Sequence, residues 1–161
     1  MIKLTEIAAT DSIQLHRLRT NAVVAKFIAR DIDQKVSDID KFIFDIINDS
    51  TKLFYKIETV INEEFIGAIS LKNIDFQAKY AEVGYELFPE YQGRGYMSEA
   101  LTKIIDLVFG EWNFEILEAY THHQNMSSRT LLEKFNFKVV EDKIDTDNLN
   151  NVVYELKKAC I

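Results

Sequence analysis

Cysteine, proline and glycine are all scarce in this sequence. Its 161 residues contain one cysteine, Cys160, one proline, Pro89, and five glycines. A lone cysteine excludes an internal disulfide and, without neighbouring ligands, a cysteine-based metal site. This usage is typical of a protein in a reducing compartment. Because repeats and Pro/Gly/Ser-rich linkers are also missing, the length predicts a single domain over residues 1–161.

Long hydrophobic runs and basic clusters are missing as well. No stretch approaches the about 20 apolar residues of a transmembrane helix, and the opening segment MIKLTEIAATDSIQLHRLR has no apolar signal core. The formal net charge is −7, the pI is about 5.0, and no lysine and arginine run suits a general nucleic-acid binder. We therefore expect a cytoplasmic protein without a membrane or nucleic-acid partner. Its acidic surface favours a cationic substrate such as an amine.

The sequence does contain an alternation of strand-like and helical segments. Hydrophobic residues make up 47% of the chain, enough for a substantial core. Three segments rich in β-branched and aromatic residues are joined by short connections, which predicts an antiparallel meander: KLFYKIETVI, FIGAISLKN and KYAEVGYELF. Gly84, inside the third segment, suggests a β-bulge.

Periodicity and capping signals mark the remaining segments. The first part of the chain predicts a strand over residues 2–7, a helix from Asp11 to about Ala29, and a helix that starts at a Ser37–Asp40 capping box. The last part predicts a helix from Met97 to Val108 with Gly110 at C′, the strand FEILEAYT, a helix from Asn125 to Lys134, and a hairpin of FKVVEDKI with NVVYELKK. The predicted order is β-α-α-β-β-β-α-β-α-β-β, a mixed α/β fold with one helical crossover.

The stretch YQGRGYMSEAL uses two of the five glycines where a helix begins. The first N–H groups of a helix lack intrahelical partners and lie at the positive end of its dipole. Gly93 and Gly95 let several amides converge on phosphate oxygens, and Arg94 adds a positive charge. A turn that needs glycine only for its dihedral angles is the alternative. The P-loop pattern is absent, and a dinucleotide fingerprint is rejected because Ser98 replaces the third glycine and antiparallel strands precede the motif.

Two blocks of the chain resemble the GNAT superfamily of acetyl-CoA-dependent N-acetyltransferases. Gln92–Met97 is similar to the signature Q/R-x-x-G-x-G/A, and GYELFPEYQGRGYMSEAL resembles the ribosomal-protein N-terminal acetyltransferase-like branch. NMSSRTLLEKFNF, Asn125–Phe137, matches the second family block. The resemblance implies a GNAT-type domain with a splayed mixed sheet. It also implies acetyl-CoA as co-substrate and direct attack of a primary amine on the thioester.

The same resemblance assigns residues to the coenzyme. The Gln92 side chain would lie at the entrance. The pyrophosphate would lie on the backbone amides of the loop and the helix start, those of Gly93, Arg94, Gly95, Tyr96, Met97 and Ser98. The pantetheine arm would follow ELFP like an added strand, and the N–H of Leu87 or Phe88 would donate to the thioester oxygen. Asn125 would bind the pantetheine amides.

The catalytic assignments also come from the resemblance. Glu82 is the first candidate for the general base and Glu86 the second, and both point to one face of a strand. Ordinary paired carboxylates are the alternative. Ser128 resembles a serine that stands near the coenzyme sulfur in this branch, while Leu132 occupies the position of the tyrosine that donates a proton in many members. A role for Ser128 in helix capping alone stays open.

Two further positions depart from the family pattern. Met97 replaces a small residue, and Asn136 replaces a glycine in a place where asparagine tolerates the left-handed conformation. We expect no metal, because His122 and His123 should point to opposite sides of a strand end.

The sequence leaves the substrate and the assembly open. The amine could belong to a protein N-terminus, a polyamine or another small molecule. The alternative function is a catalytically inactive coenzyme-A-binding sensor or partner-binding module with the same fold. A homodimer is compatible with the sequence.

Overall fold

The computed structural model describes residues 1–161 and contains a seven-stranded sheet in the spatial order β1-β2-β3-β4-β5-β7-β6. The strands are β1 Ile2–Glu6, β2 Leu53–Thr59, β3 Phe65–Asp75, β4 Tyr80–Leu87, β5 Ile116–His122, β6 Lys138–Val139 and β7 Asn151–Lys157. The helices are α1 Ser12–Arg19, α2 Val36–Ile47, α3 Tyr96–Ile105 and α4 Met126–Lys134. No helix is long and apolar enough to cross a membrane.

The sheet confirms the predicted mixed α/β class and element order. Strands β2 to β4 form the predicted antiparallel meander, β1 pairs antiparallel with β2, and β5 lies parallel to β4 after the helical crossover. Short connections permit only antiparallel neighbours, whereas the parallel pair requires the long α3 connection. The sequence pattern therefore predicted the meander and the crossover correctly, whereas the spatial order β5-β7-β6 is known only from the structure.

Two hydrophobic clusters cover the two faces of the sheet. One includes Leu101 of α3 and Leu132 of α4, and the other includes Leu15 of α1 and Ile43 of α2. Along β4 the side chains alternate between the faces, so that Val83 enters the α3–α4 cluster. The carboxylates of the same strand consequently point toward the α1–α2 side.

Parallel pairing of β4 with β5 stops halfway along β4. Tyr80 to Val83 pair with Ile116 to Ala119, and no pairing with β5 continues beyond Val83. Strand β5 then follows β7 as far as His122, while β4 follows β3 as far as Leu87. The two central strands therefore splay, and the edge of β4 from Gly84 to Leu87 is open.

The predicted bulge at Gly84 is wrong. Gly84 lies opposite Ser70 in regular register, and the irregularity between β3 and β4 falls between Lys72 and Asp75 instead. The sheet opens because β5 diverges, not because β4 contains an extra residue.

Several predicted helix ends also need correction. The backbone N–H of Lys35 donates to Asp38 Oδ2 at 2.8 Å, so the capping pair of α2 lies two residues before the predicted Ser37–Asp40 pair. Gly110 is not a C′ residue, because a π-helical segment, Asp106–Glu111, continues α3 through it.

The first helix and the last hairpin are both shorter than predicted. Helix α1 ends at Arg19, where Asn21 Oδ1 accepts the N–H groups of Val23 and Val24 and starts a separate turn. Only Lys138 and Val139 of the segment FKVVEDKI pair with β7. A polar side chain that bonds to nearby backbone competes with helix continuation, which periodicity alone does not reveal.

Candidate active site

Six successive backbone N–H groups, those of residues 93–98, donate to no acceptor in the protein. The first intrahelical bond of α3 is the one from the Glu99 N–H to Gly95 O, at 3.1 Å. Gly93 and Gly95 have φ of 74° and 83°, values that suit glycine and that turn the chain into the helix. The loop and the helix start therefore present a continuous set of donors to an anion.

Two cations lie beside these donors. Arg94 is exposed, with its guanidinium carbon 5.6 Å from the centre of the Tyr91 ring. Lys134, at the end of α4, places Nζ 3.5 Å from Ser98 Oγ. The sequence did not single out Lys134, because its position next to α3 depends on how the helices pack. Gln92, predicted at the entrance, instead donates its Nε2 to Leu87 O at 3.0 Å and thus ties the loop to the end of β4.

The open edge of β4 corrects one of the two predicted thioester donors. The Phe88 N–H already donates to Ile66 O at 3.0 Å. Because hydrogen bonds alternate along an antiparallel pair, the N–H groups of Tyr85 and Leu87 point away from β3. They face the gap left by β5, so Leu87 stays a candidate donor and Tyr85 joins it.

A cleft of about 790 Å³ lies against this gap and brings the predicted catalytic residues together. Its lining includes Glu82, Glu86, Ser128 and Asn125, together with Tyr85. The residues of the glycine loop, 92–98, do not line the cleft but follow β4 through the short 3-10 turn Pro89–Tyr91. Strand β4 thus runs from the wall of the cleft toward the loop with the unpartnered N–H groups.

Glu82 is buried in the wall of the cleft, with 7% of the residue exposed. Its Oε2 lies 3.1 Å from Lys72 Nζ and its Oε1 accepts from Asn73 Nδ2 at 3.3 Å. Burial raises the pKa of the Glu82 carboxyl above its ordinary value; Lys72 and Asn73 oppose this rise, and the charge of Glu118 adds to it. Such a carboxyl is closer to the range of a general base than an exposed one.

Glu86 has a different environment from Glu82. Its carboxylate accepts a hydrogen bond from Arg30 Nη1 and lies 3.9 Å from Arg19 Nη1. Only 9% of its side chain is exposed. One oxygen is bound by Arg30 and the other lies near Arg19, so Glu86 is held within an arginine pair whereas Glu82 is paired with a lysine.

Ser128 is buried at the start of α4 and forms a hydroxyl pair with Tyr85. The two oxygens are 2.7 Å apart. Burial raises the pKa of Tyr85 to about 12, while its hydrogen bond with Ser128 opposes the rise and the charge of Tyr154 adds to it. Tyr85 therefore keeps its proton near neutral pH and can donate it to Ser128. The sequence analysis did not predict a role for Tyr85. Its place on β4, one residue from Glu86, was the only feature that could have suggested one.

Asn125 acts as the N-cap of α4, where its Oδ1 accepts the Ser128 N–H at 3.2 Å. Its Nδ2 donates to no protein acceptor. The cap uses the backbone of Ser128 and leaves the serine hydroxyl to Tyr85. At the other end of α4, Asn136 has φ of 68°, as its replacement of a glycine predicts.

The histidine rings of residues 122 and 123 stack with centroids 4.7 Å apart, so the expectation that they point to opposite sides is wrong. His122 Nδ1 accepts the Gln124 N–H at 3.0 Å, an interaction within the turn itself. No group of three or more His, Cys, Asp or Glu side chains is arranged to hold a metal ion.

The sheet thus opens beside an unpaired strand edge, and that strand leads to a loop whose N–H groups lack partners. The chain belongs to the acetyltransferase (GNAT) domain family, whose match covers residues 2–138.

Similar proteins carry related descriptions. The uncharacterized N-acetyltransferase p20 of Bacillus licheniformis is 36% identical over 75 residues, which cover 47% of this chain and 42% of that protein. A putative ribosomal N-acetyltransferase of Bacillus subtilis (strain 168), YdaF, is 32% identical over 71 residues, covering 44% and 39%. The matched region thus spans about two fifths of the length of these relatives.

A solved structure shares the fold over almost its whole length. The spermidine N-acetyltransferase of Vibrio cholerae in complex with CoA and spermine superimposes with a TM-score of 0.84. The match covers 98% of this chain and 96% of that one at 16% sequence identity, so it speaks for the fold alone.

Proposed function

We propose that the protein transfers the acetyl group of acetyl-CoA to a primary amine. The observation that carries this proposal is the run of six unpartnered N–H groups at residues 93–98, at the end of a strand whose edge is open. The family and the descriptions of the relatives agree with it. A cytoplasmic location and a homodimer stay predictions.

In this proposal the loop binds the coenzyme pyrophosphate through its amides, with Arg94 and Lys134 supplying positive charge. The pantetheine arm lies along the open edge of β4, where Tyr85 and Leu87 offer N–H groups in the manner of a missing strand. One of these N–H groups donates to the thioester oxygen as negative charge develops on it. Asn125 Nδ2 is placed to donate to the arm from α4.

Glu82 serves as the general base. The amine nitrogen attacks the thioester carbon, the carbon–sulfur bond breaks, and the amine proton passes to the Glu82 carboxylate directly or through water. Lys72 keeps this carboxylate ionised in its buried position, and the neighbouring charge of Glu118 opposes that effect. The net effect is a pKa above that of an exposed glutamate, so the Glu82 carboxylate is the more basic of the two.

Ser128 stabilises the leaving sulfur. If Tyr85 donates to Ser128 Oγ, the serine hydrogen is free to point to the thiolate as it leaves. A thiol has an ordinary pKa of about 8.5, so a hydroxyl hydrogen bond suffices where a strong acid is not needed. The pair thus takes the place of the tyrosine that Leu132 replaces.

The descriptions of the similar proteins suggest two classes of amine substrate. One relative is described as a ribosomal N-acetyltransferase, and the Vibrio cholerae structure contains spermine. Both descriptions belong to those proteins, but each supplies a class for this chain to be tested against.

Release of free thiol from acetyl-CoA, measured against a panel of amines, tests the proposal. The panel contains peptides with different first residues, polyamines and amino acids, with acetyl-CoA alone as the control. We expect amine-dependent thiol release and an acetylated product of matching mass. Binding of acetyl-CoA without release for any amine would instead favour the coenzyme-A sensor, and no binding would overturn both functions.

A further inference from the structure

We propose that the amine substrate carries an anionic group, a carboxylate, that binds to Arg19 and Arg30 at one end of the cleft. This inference rests on the proposed acetyl transfer and specifies its substrate class. Both arginines line the same cleft as Glu82 and Ser128. No residue of the glycine loop takes part, so the site is separate from the one assigned to the coenzyme phosphates.

The two guanidinium groups share a single carboxylate. Arg30 Nη1 donates to Glu86 and, at 3.3 Å, to Arg19 O, while Arg19 Nη1 lies 3.9 Å from Glu86 Oε2. The side chains of Arg19 and Arg30 are only 14% and 11% exposed. Two positive charges against one negative charge leave an excess of one positive charge in a poorly solvated place. Buried charges of this kind are normally compensated, which a bound anion would do.

The Arg19 guanidinium has no hydrogen-bond acceptor within the protein. Its Nε is buried and has no hydrogen-bond acceptor, and its guanidinium carbon lies 3.9 Å from the centre of the Phe42 ring. Burial, together with repulsion from Arg30, lowers the pKa of Arg19 to about 10. The group stays protonated near neutral pH, yet its surroundings disfavour the charge. An arginine with free donors on a flat guanidinium is well suited to a carboxylate.

The carboxylates of the cleft are less suited to a second cation. Glu82 is paired with Lys72, and Glu86 with the arginines. Across the cleft, Asp145 accepts bonds from the Asp147 N–H and from Asn151 Nδ2 within its own segment. Asp147 is exposed. Only the exposed Asp147 is left for the second ammonium of a polyamine, whereas a carboxylate would meet the excess positive charge of Arg19 and Arg30.

The spacing of the two ends predicts the length of the substrate. Glu82 and Glu86 are four residues apart on β4, which corresponds to roughly 13 Å along the strand. The hydrogen bond at Glu82 and the guanidinium groups bound at Glu86 both occupy part of this span, so the substrate nitrogen and its carboxylate lie less than about 13 Å apart. That span fits an amine and a carboxylate separated by several methylene groups, or the two ends of a short peptide unit.

Three amines that differ only at the far end provide the test: 5-aminopentanoate, 5-aminopentanamide and 1,5-diaminopentane. We expect the carboxylate to have a kcat/KM at least about 10-fold above those of the neutral amide and the diamine, because its hydrogen bonds to arginine are charge-assisted. A second arm compares peptides that begin Gly-Asp and Gly-Asn. Faster acetylation of the Gly-Asp peptide would identify a protein N-terminus as a source of the carboxylate, and equal rates would leave a small amino acid as the source. Equal rates for the three amines, or a preference for the diamine, would overturn the inference while leaving acetyl transfer intact.

Two substitutions with opposite expected effects separate binding from a structural role. Arg30→Gln should raise the KM for 5-aminopentanoate by about 10- to 100-fold and change that of the amide little. Glu86→Gln removes the competing carboxylate and should lower the KM for 5-aminopentanoate relative to the amide. Arg17→Gln, on the exposed face of the same helix as Arg19, is the matched control. Equal losses for all three amines in Arg30→Gln, together with no gain in Glu86→Gln, would show that the arginines only hold the fold.

Discussion

At the residue scale, Glu82 combines burial, which raises its pKa, with an ion pair that keeps it charged. A base acts in its deprotonated form, so kcat/KM should fall as the pH drops through this raised pKa and reach a plateau above it. The acidic limb of the pH–rate profile should therefore lie above pH 4.5, the ordinary pKa of a glutamate. Glu82→Gln should lower kcat by about 100-fold or more and remove this limb from the pH–rate profile.

Glu115→Gln is the matched control, because Glu115 is an exposed carboxylate just before β5. It should leave both the rate and the profile unchanged. A Glu82→Gln variant with an unaltered profile would mean that another group, or bulk water, accepts the proton.

The hydroxyl pair of Tyr85 and Ser128 gives a second prediction at this scale. Ser128→Ala and Tyr85→Phe should each lower kcat by about 10-fold with little change in the KM for acetyl-CoA. Because the two groups act as one unit, the double variant should lose little more than either single one. Steady-state kinetics on the four proteins measures this coupling.

Ser127→Ala, at the exposed neighbouring position, should be neutral. The shape of the pH profile should also persist in Tyr85→Phe, since a group with a pKa of about 12 does not titrate near neutral pH. Additive losses in the double variant would contradict the proposed relay from Tyr85 through Ser128.

At the scale of elements, the start of α3 depends on one left-handed residue. Gly95 has φ of 83° with no atom within 4 Å of the place where a Cβ would stand, so its backbone angle and not crowding requires glycine. Gly95→Ala should cost about 1 kcal/mol and raise the KM for acetyl-CoA, because the strain turns the loop amides out of position. Thermal unfolding and steady-state kinetics measure the two effects.

Gly110→Ala is the control for that substitution. Gly110 lies in the π-helical segment after α3, has no positive φ, and also has open space around it. Alanine there should stabilise the protein by about 0.5–1 kcal/mol and leave the KM unchanged. If Gly95→Ala behaved like Gly110→Ala, coenzyme binding would not depend on the left-handed conformation of residue 95.

The elements also show what the sequence can and cannot determine. Strand and helix order followed from periodicity, and the left-handed Asn136 followed from the family resemblance, in which asparagine replaces a glycine. The capping pair of α2 did not, because Lys35 carries no side-chain signal and only the fold shows that Asp38 reaches its N–H. The Tyr85–Ser128 and Arg19–Arg30–Glu86 contacts join distant parts of the chain. Contacts of that kind depend on packing, which one sequence does not encode locally.

At the scale of the whole molecule, net charge and site charge have opposite signs. The chain has a formal net charge of −7, whereas residues 93–98 and the Arg19–Arg30 pair present donors and cations to anions. Long-range repulsion of an anionic coenzyme is screened by salt, while contacts with backbone amides are short-range. Binding should therefore depend on whether the ligand has a group that reaches the amides, more than on its overall charge.

This reasoning predicts how ligands shift the thermal stability of the protein. A ligand at about 100 times its Kd stabilises the folded state by about 2.7 kcal/mol. For a chain of 161 residues this corresponds to a rise in Tm of roughly 5–11 °C. We expect acetyl-CoA and CoA to produce such a shift at saturating concentration. Pantetheine, which has the arm but no phosphates, should produce almost none at the same concentration, because it leaves the amides of residues 93–98 without a partner. An equal shift with pantetheine would place the binding energy in the β4 edge and remove the anion-binding loop from the basis of the proposed function.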